Sequence, residues 1–283
     1  MDNSEVFVGL DIGSTSIKAL VCENVKGQLK VVGVGIVPST GLNHGVIVDI
    51  DKTAHAIPQA VAQAEEKSNL TIKKLIVGLP ANYLRMQKVH GMITIAAQGQ
   101  SREIVNRDVI DVAKETLTQN IPPERTVLDL VPTEFSVDGF GGIKDPRGMV
   151  SVRLEMKATL YTGPKTILHN TKKAVQRAGY EIKDFVIAPI ATDFNLLNDG
   201  EQDFGTVVID LGGGQTTTSI IHDHQLKYTF VDPEGGQYVT KDISTVLNTS
   251  LKNAEKLKLN HGYADHSLAD ADANINVNVV GKN

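Results

Sequence analysis

The feature that most narrows the possible folds is a repeat. Phe7-Val8-Gly9-Leu10-Asp11-Ile12-Gly13-Ser14-Thr15-Ser16 is echoed about 200 residues later by Val207-Val208-Ile209-Asp210-Leu211-Gly212-Gly213-Gly214-Gln215-Thr216. That separation is too long for a solenoid period and suits two related domains that open with the same supersecondary unit. Each copy continues alike. Residues 17–22, a turn at Lys26-Gly27 and residues 29–34 in the first are matched by 217–222, a turn at Asp223-His224 and 226–231 in the second. Both read as antiparallel strands joined through a Gly-rich turn. A Rossmann or P-loop site runs from its glycines into a helix, and neither copy has helix-forming residues there, which excludes both. The chain is α/β with a duplicated core.

Between the copies the pattern changes. Ile50, Ala54, Ile57, Val61 and Ala64 fall on one helical stripe, with Pro58 inside it predicting a kink or a late start. Residues 75–80 read as a buried strand. From about Tyr83 to Leu160 a small α+β insertion is expected, with a strand at 89–95, a helix at 107–117 and strands at 127–131 and 135–138, after which a short strand at 158–161 returns the chain to the first domain. A helix carrying Ile167, Ala174 and Val175, a strand at 185–187 and a short helix at 194–197 lead into the second copy. There Ile243, Val246, Leu247, Leu251, Ala254 and Leu257 predict one helix stopped at Asn260-His261-Gly262, followed by an Asp/Ala-rich loop and an alternating run at 275–279. No crossover helix and closing strand follow, so the second half reads as incomplete.

Composition excludes several classes. With 28 Lys+Arg against 33 Asp+Glu, the net charge of −5 and the lack of a basic block argue against nucleic-acid binding. The single Cys22 cannot form an internal disulfide and fits a reducing cytosol. The polar start lacks a signal peptide's apolar stretch, and the longest apolar runs fall short of the ~20 residues that span a bilayer. The histidines lack zinc-site spacing, and there is no serine elbow.

The Asp-apolar-Gly turns carry the chemistry. Glycine permits positive φ and lets backbone N–H groups approach phosphate oxygens. Ser14, Thr15, Ser16, Gln215 and Thr216 add hydroxyl or amide donors, and Asp11 and Asp210 suit a hydrated Mg²⁺, which takes few direct carboxylates. One such turn alone is more often an ordinary hairpin; two matching copies point to a clamp on a nucleoside triphosphate. Gly235-Gly236 reads equally as a turn or a nucleotide contact. Glu255 and Lys258, three apart, are by spacing an exposed ion pair more than a ribose contact.

These residues resemble a known superfamily. The run from Gly9 to Lys18, including Asp11, Gly13, Ser14, Thr15, Ser16 and Lys18, resembles the first phosphate loop of the actin/DnaK-type ATPases. Ile209-Asp210-Leu211-Gly212-Gly213-Gly214-Gln215-Thr216 resembles the second. Three further stretches are similar to the FtsA family of bacterial cell-division proteins: Gly45-Val46-Ile47-Val48-Asp49-Ile50-Asp51; Asp138-Gly139-Phe140-Gly141-Gly142-Ile143-Lys144-Asp145-Pro146-Arg147-Gly148-Met149; and residues 235–243 with 254–258. The resemblance implies an actin-like (ribonuclease H-like) fold. Its first domain would be 1–83 plus 158–200, an FtsA-type inserted subdomain 84–157, and a truncated second domain 201–283. It implies ATP and Mg²⁺ between the halves, with Gly235, Gly236, Glu255 and Lys258 beside the nucleoside. Implied partners are the FtsZ C-terminal tail, further copies in a filament, other division proteins, and the membrane through a C-terminal amphipathic helix beyond residue 283. Ala188-Pro189 stands where chaperone and actin relatives carry Glu or Gln, which implies a slow ATPase at most. Sugar-kinase-like phosphotransferases and chaperone-like ATPases of the same superfamily are the alternatives.

Overall fold

The computed structural model describes residues 5–96, 100–118, 121–270 and 274–278. The chain opens with the expected meander of β1 (Glu5–Ile12), β2 (Ser16–Val25) and β3 (Gln28–Pro38). The β2–β3 turn has Lys26 at φ 54° and Gly27 at φ 86°. Two consecutive left-handed residues give the twist that right-handed strand pairs need. A second small hairpin, β4 (Leu42–Asn43) and β5 (Val46–Ile47), turns at His44 and Gly45 in the same way.

Helix α1 (Ile50–Ser68) is capped by Asp49, whose carboxylate accepts from the Lys52 backbone N–H, and it ends on left-handed Asn69. It does not start late: the Asp49 cap fixes its first turn, and the helix runs through Pro58. Its small residues seat it on the sheet. A Cβ at Gly35 would lie 1.8 Å from the Ala60 carbonyl oxygen, and one at Gly33 2.4 Å from that of Ala64. Strand β6 (Lys74–Leu79) then returns parallel to β1, with Gly9 opposite Ile76.

The insertion follows as β7 (Arg85–Thr94), β8 (Arg102–Glu103), α2 (Asn106–Thr116), β9 (Arg125–Val137), β10 (Phe140–Ile143), β11 (Val150–Ser151) and β12 (Arg153–Pro164). Its main sheet runs β10-β9-β12-β7, with Val112 of α2 packed into the Phe135, Leu154, Met156 and Leu160 core. The two strands expected at 127–131 and 135–138 are one. Pro132 interrupts the pattern, but Lys157 pairs Glu134 and Ala158 pairs Pro132, so Thr133 bulges out and the strand continues. The short strand expected at 158–161 is likewise the middle of the longer β12. Thr162 of β12 lies directly opposite Arg85 of β7, so the insertion leaves where it enters. Buried Arg125 donates to the carbonyl oxygens of both Tyr83 and Thr162.

Helix α3 (Lys165–Arg177) and β13 (Glu181–Ile187) complete a five-stranded sheet, β13-β6-β1-β2-β3, over a core of Leu10, Ile17, Ile57, Leu75, Val77 and Val175. Helices α4 (Ala188–Leu196) and α5 (Asp199–Phe204) lead to the second meander, β14 (Thr206–Leu211), β15 (Thr216–His222) and β16 (Gln225–Asp232). Its turn again places two left-handed residues in sequence, Asp223 and His224. On one face of this sheet Val207, Ile209, Leu211, Tyr228 and Phe230 are each more than half exposed. The single helix expected next is two, α6 (Gly236–Val246) and α7 (Leu251–His261). Left-handed Asn248 breaks the run, and Ser250 caps the second helix. The alternating run at 275–279 forms no strand over residues 274–278, where the Thr249 hydroxyl donates to the Asn278 carbonyl oxygen; Val279 lies outside the described residues.

Candidate functional site

The two repeated turns close in the same way. Gly13 N–H donates to the Ser16 carbonyl at 3.1 Å, and Gly212 N–H to the Gln215 carbonyl at 3.0 Å. They face each other at close range: a Cβ on Gly213 would sit 1.8 Å from Thr15 Oγ1, and one on Gly214 2.5 Å from Ser14 Oγ. The β4–β5 hairpin bridges them. Gly45 N–H donates to Ser14 Oγ at 2.8 Å, and His44 Nδ1 lies 3.0 Å from the Gly214 carbonyl oxygen.

A cavity of about 190 Å³ lies between the halves. Its walls include Asp11, Gly13, Ser14, Thr15, Ser16 and Lys18 from the first turn and Asp210, Gly212, Gly213, Gly214 and Gln215 from the second. Thr216, Gly235, Gly236, Glu255 and Lys258 lie outside its walls. Thr216 instead donates its hydroxyl to the Glu234 carbonyl. Gly235-Gly236 supports the second turn from behind: Gly236 N–H donates to Gly212 O and Gln237 N–H to Gly213 O. Lys258 Nζ reaches the Gly236 carbonyl, Thr240 Oγ1 and Glu255 Oε2, which locks α7 onto α6. Lys258 first and the Thr240 hydroxyl second hold the Glu255 carboxyl below the usual carboxylate range.

The electrostatics favour a cation together with an anion. Three carboxylates, Asp11, Asp193 and Asp210, line the cavity, and its one lysine, Lys18, is already paired with Asp11 at 3.1 Å. A bare phosphate chain would meet net repulsion, and a divalent cation removes it. Among the described residues no group of three His, Cys, Asp or Glu side chains is gathered that could hold a metal ion. Two cavity-lining acceptors, Gln215 Oε1 and Asp193 Oδ2, are buried and have no hydrogen-bond partner among the described residues, the mark of a site built for a polar guest.

Asp193, with Thr192, Thr217 and Ser219, was not singled out by sequence reasoning. Burial pushes the Asp193 carboxyl above its ordinary range, the Ser219 hydroxyl opposes that shift, and the Asp210 charge adds to it. The available signal was one acid in an otherwise weakly polar stretch, Ala188-Pro189-Ile190-Ala191-Thr192-Asp193-Phe194.

Among solved structures, the fold is similar to the PilM-PilN type IV pilus biogenesis complex, with a TM-score of 0.65 at 16% identity over 90% of this chain and 70% of that one. It is also similar to the ethanolamine utilization protein EutJ from Carboxydothermus hydrogenoformans, with a TM-score of 0.52 at 15% identity over 91% of this chain and 62% of that one. Fold and cleft together define an actin-like protein, two related halves whose Gly-rich hairpins meet across a polar cavity. Residues 81–162 match the family model described as the SHS2 domain inserted in FtsA, and residues 207–283 match that of cell division protein FtsA. The chain is 53% identical to cell division protein FtsA of Enterococcus faecalis over all of its own length and 64% of that protein. It is 33% identical to that of Pseudomonas aeruginosa, over 99% of its own length and 67% of that protein. The chain belongs to the FtsA family of cell division proteins. It spans about 64% of the length of the first curated relatives it matches.

Proposed function

We propose that this chain binds ATP with Mg²⁺ between its two halves and serves cell division as an adaptor. In this reading the backbone N–H groups of Gly13–Ser16 and Gly212–Gln215 hold the phosphates, Ser14 and Thr15 add hydroxyl donors, and Asp11 and Asp210 hold the cation through its waters. The cation neutralises charge between phosphates and carboxylates; the chain's own turns supply position. Gly235-Gly236 acts from behind the second turn, and the Glu255–Lys258–Thr240 cluster sets the α6–α7 wall nearest the nucleoside. The observation that carries the reading is the pair of identically closed Gly turns facing each other around a carboxylate-lined cavity.

The larger role follows from family membership. The intact protein would bind the C-terminal tail of FtsZ, associate with further copies into filaments through the inserted subdomain, and recruit later division proteins. It would meet the cytoplasmic face of the membrane through an amphipathic helix. Among the described residues no helix is long and apolar enough to cross a membrane. Calorimetric titration of ATP–Mg²⁺ into the intact protein, with co-sedimentation against FtsZ, tests both parts. Saturable binding that Asp11→Ala and Asp210→Ala each weaken at least about tenfold supports the site; binding indifferent to both removes it.

A further inference from the structure

Asp193 has no task in the reading above, and its position asks for one. It is 2% exposed and lines the cavity from α4, at the carboxyl end of β13. Ser219 of β15, in the other half, lines the same cavity, and among the described residues Asp193 Oδ2 has no hydrogen-bond partner. A buried acceptor left unmatched carries a desolvation penalty, and a carboxylate more so than an amide, so such a group in a native fold demands an explanation.

Depth separates the three carboxylates. Asp11 and Asp210 are exposed at the ends of the strands that carry the Gly turns, where a cation can keep its hydration shell. Asp193 lies on the enclosed side, among Thr192, Thr217 and Ser219. We propose that Asp193 is the catalytic carboxylate that holds and activates the attacking water when this cleft hydrolyses a nucleoside triphosphate. The proposal rests on the nucleotide-binding reading.

The water oxygen forms a bond to the terminal phosphorus as the bond from that phosphorus to the bridging oxygen breaks, and the bridging electron pair leaves with the nucleoside diphosphate. The proton released by the water passes to Asp193 Oδ2 and from there to the inorganic phosphate. Burial strengthens Asp193 as a proton acceptor, the direction general-base work requires.

The test uses the intact protein, the near-isosteric Asp193→Asn, and Asp193→Ala. Asp193→Asn is expected to bind ADP–Mg²⁺ within about threefold of wild type and to lose about 10²-fold or more in single-turnover hydrolysis of ATP, the usual scale of general-base loss. It should also lose most of the extra affinity that wild type shows for ADP with aluminium fluoride over ADP alone. A carboxylate that only clips α4 to β15 would not move that ratio. Added formate should restore part of the turnover of Asp193→Ala. An Asn variant with wild-type turnover or an unchanged aluminium fluoride preference overturns the proposal, and so does a wild type that binds ATP–Mg²⁺ without hydrolysing it. A wild type that does not bind ATP–Mg²⁺ at all overturns the nucleotide-binding reading itself, a separate and visible failure.

Discussion

At the scale of single residues, the cleft sets stability against chemistry. Asp193 is held above its ordinary range, chiefly by burial, so its ionised form destabilises the fold at neutral pH. Asp193→Asn should therefore raise the melting temperature at pH 7. For a raised carboxylate, that gain is complete above the folded pKa, shrinks as pH falls through it, and vanishes below the unfolded value of about 3.9. Melting curves across that range check it; an Asn variant less stable than wild type at pH 7 would show that the charge is compensated. Asp108 has the opposite sign. Arg102, bonded to it at 2.8 and 2.6 Å, holds its carboxyl below the usual range. Its contribution is present above the unfolded pKa and lost as pH falls through the lowered folded value, so Asp108→Asn should loosen α2 at pH 7 and converge with wild type in acid, as read by hydrogen exchange. Asp11 and Asp210 were legible in sequence because the repeat carries them twice. Asp193 was not, because its significance depends on Ser219, which only the folded chain brings beside it.

At the scale of elements, turns and periodic helices were readable and interruptions were not. The Lys26-Gly27 and Asp223-His224 turns, α1, α3 and both meanders follow from local pattern. Pro132 misled because a bulge absorbs it, and that bulge is set by the partner strand β12. The break between α6 and α7 was hidden because the apolar stripe continues across it, while the left-handed Asn248 leaves no trace in periodicity. The seat of α1 on β3 offers a sharp check. Gly35→Ala pushes a methyl into the Ala60 carbonyl, where only backbone can give way. Overpacking of this kind costs about 1–3 kcal/mol, and more where backbone must move. Urea denaturation should show that loss, while Gly142→Ala, at an exposed irregular position of β10 with no atom within 4 Å but φ 78°, should cost less than Gly35→Ala.

At the scale of the whole molecule, the halves are unequally dressed. The first sheet is covered by α1 against β2 and β3, whereas β14 and β16 leave Val207, Ile209, Leu211, Tyr228 and Phe230 open. An apolar face of that kind drives association. This 283-residue chain, prepared as it stands, should bind an apolar dye and sediment heavier than a monomer, and Ile209→Lys with Phe230→Thr should reduce both. A monodisperse, dye-silent chain would mean the face closes on itself. The duplication that predicted two halves could not foretell this imbalance, because it matches strands and turns and says nothing of what packs on them. The insertion gives the molecule a different property. Its first and last strands run side by side, Arg85 opposite Thr162, and one guanidinium grips the crossing point. Its ends lie a single strand spacing apart, about 5 Å, yet Tyr161 of β12 packs on Ile187, Ile221 and Leu226 and donates its hydroxyl to the Leu226 carbonyl oxygen. The block is therefore rooted in both halves at once, and Tyr161→Ala should loosen β16 along with the insertion, as read by hydrogen exchange.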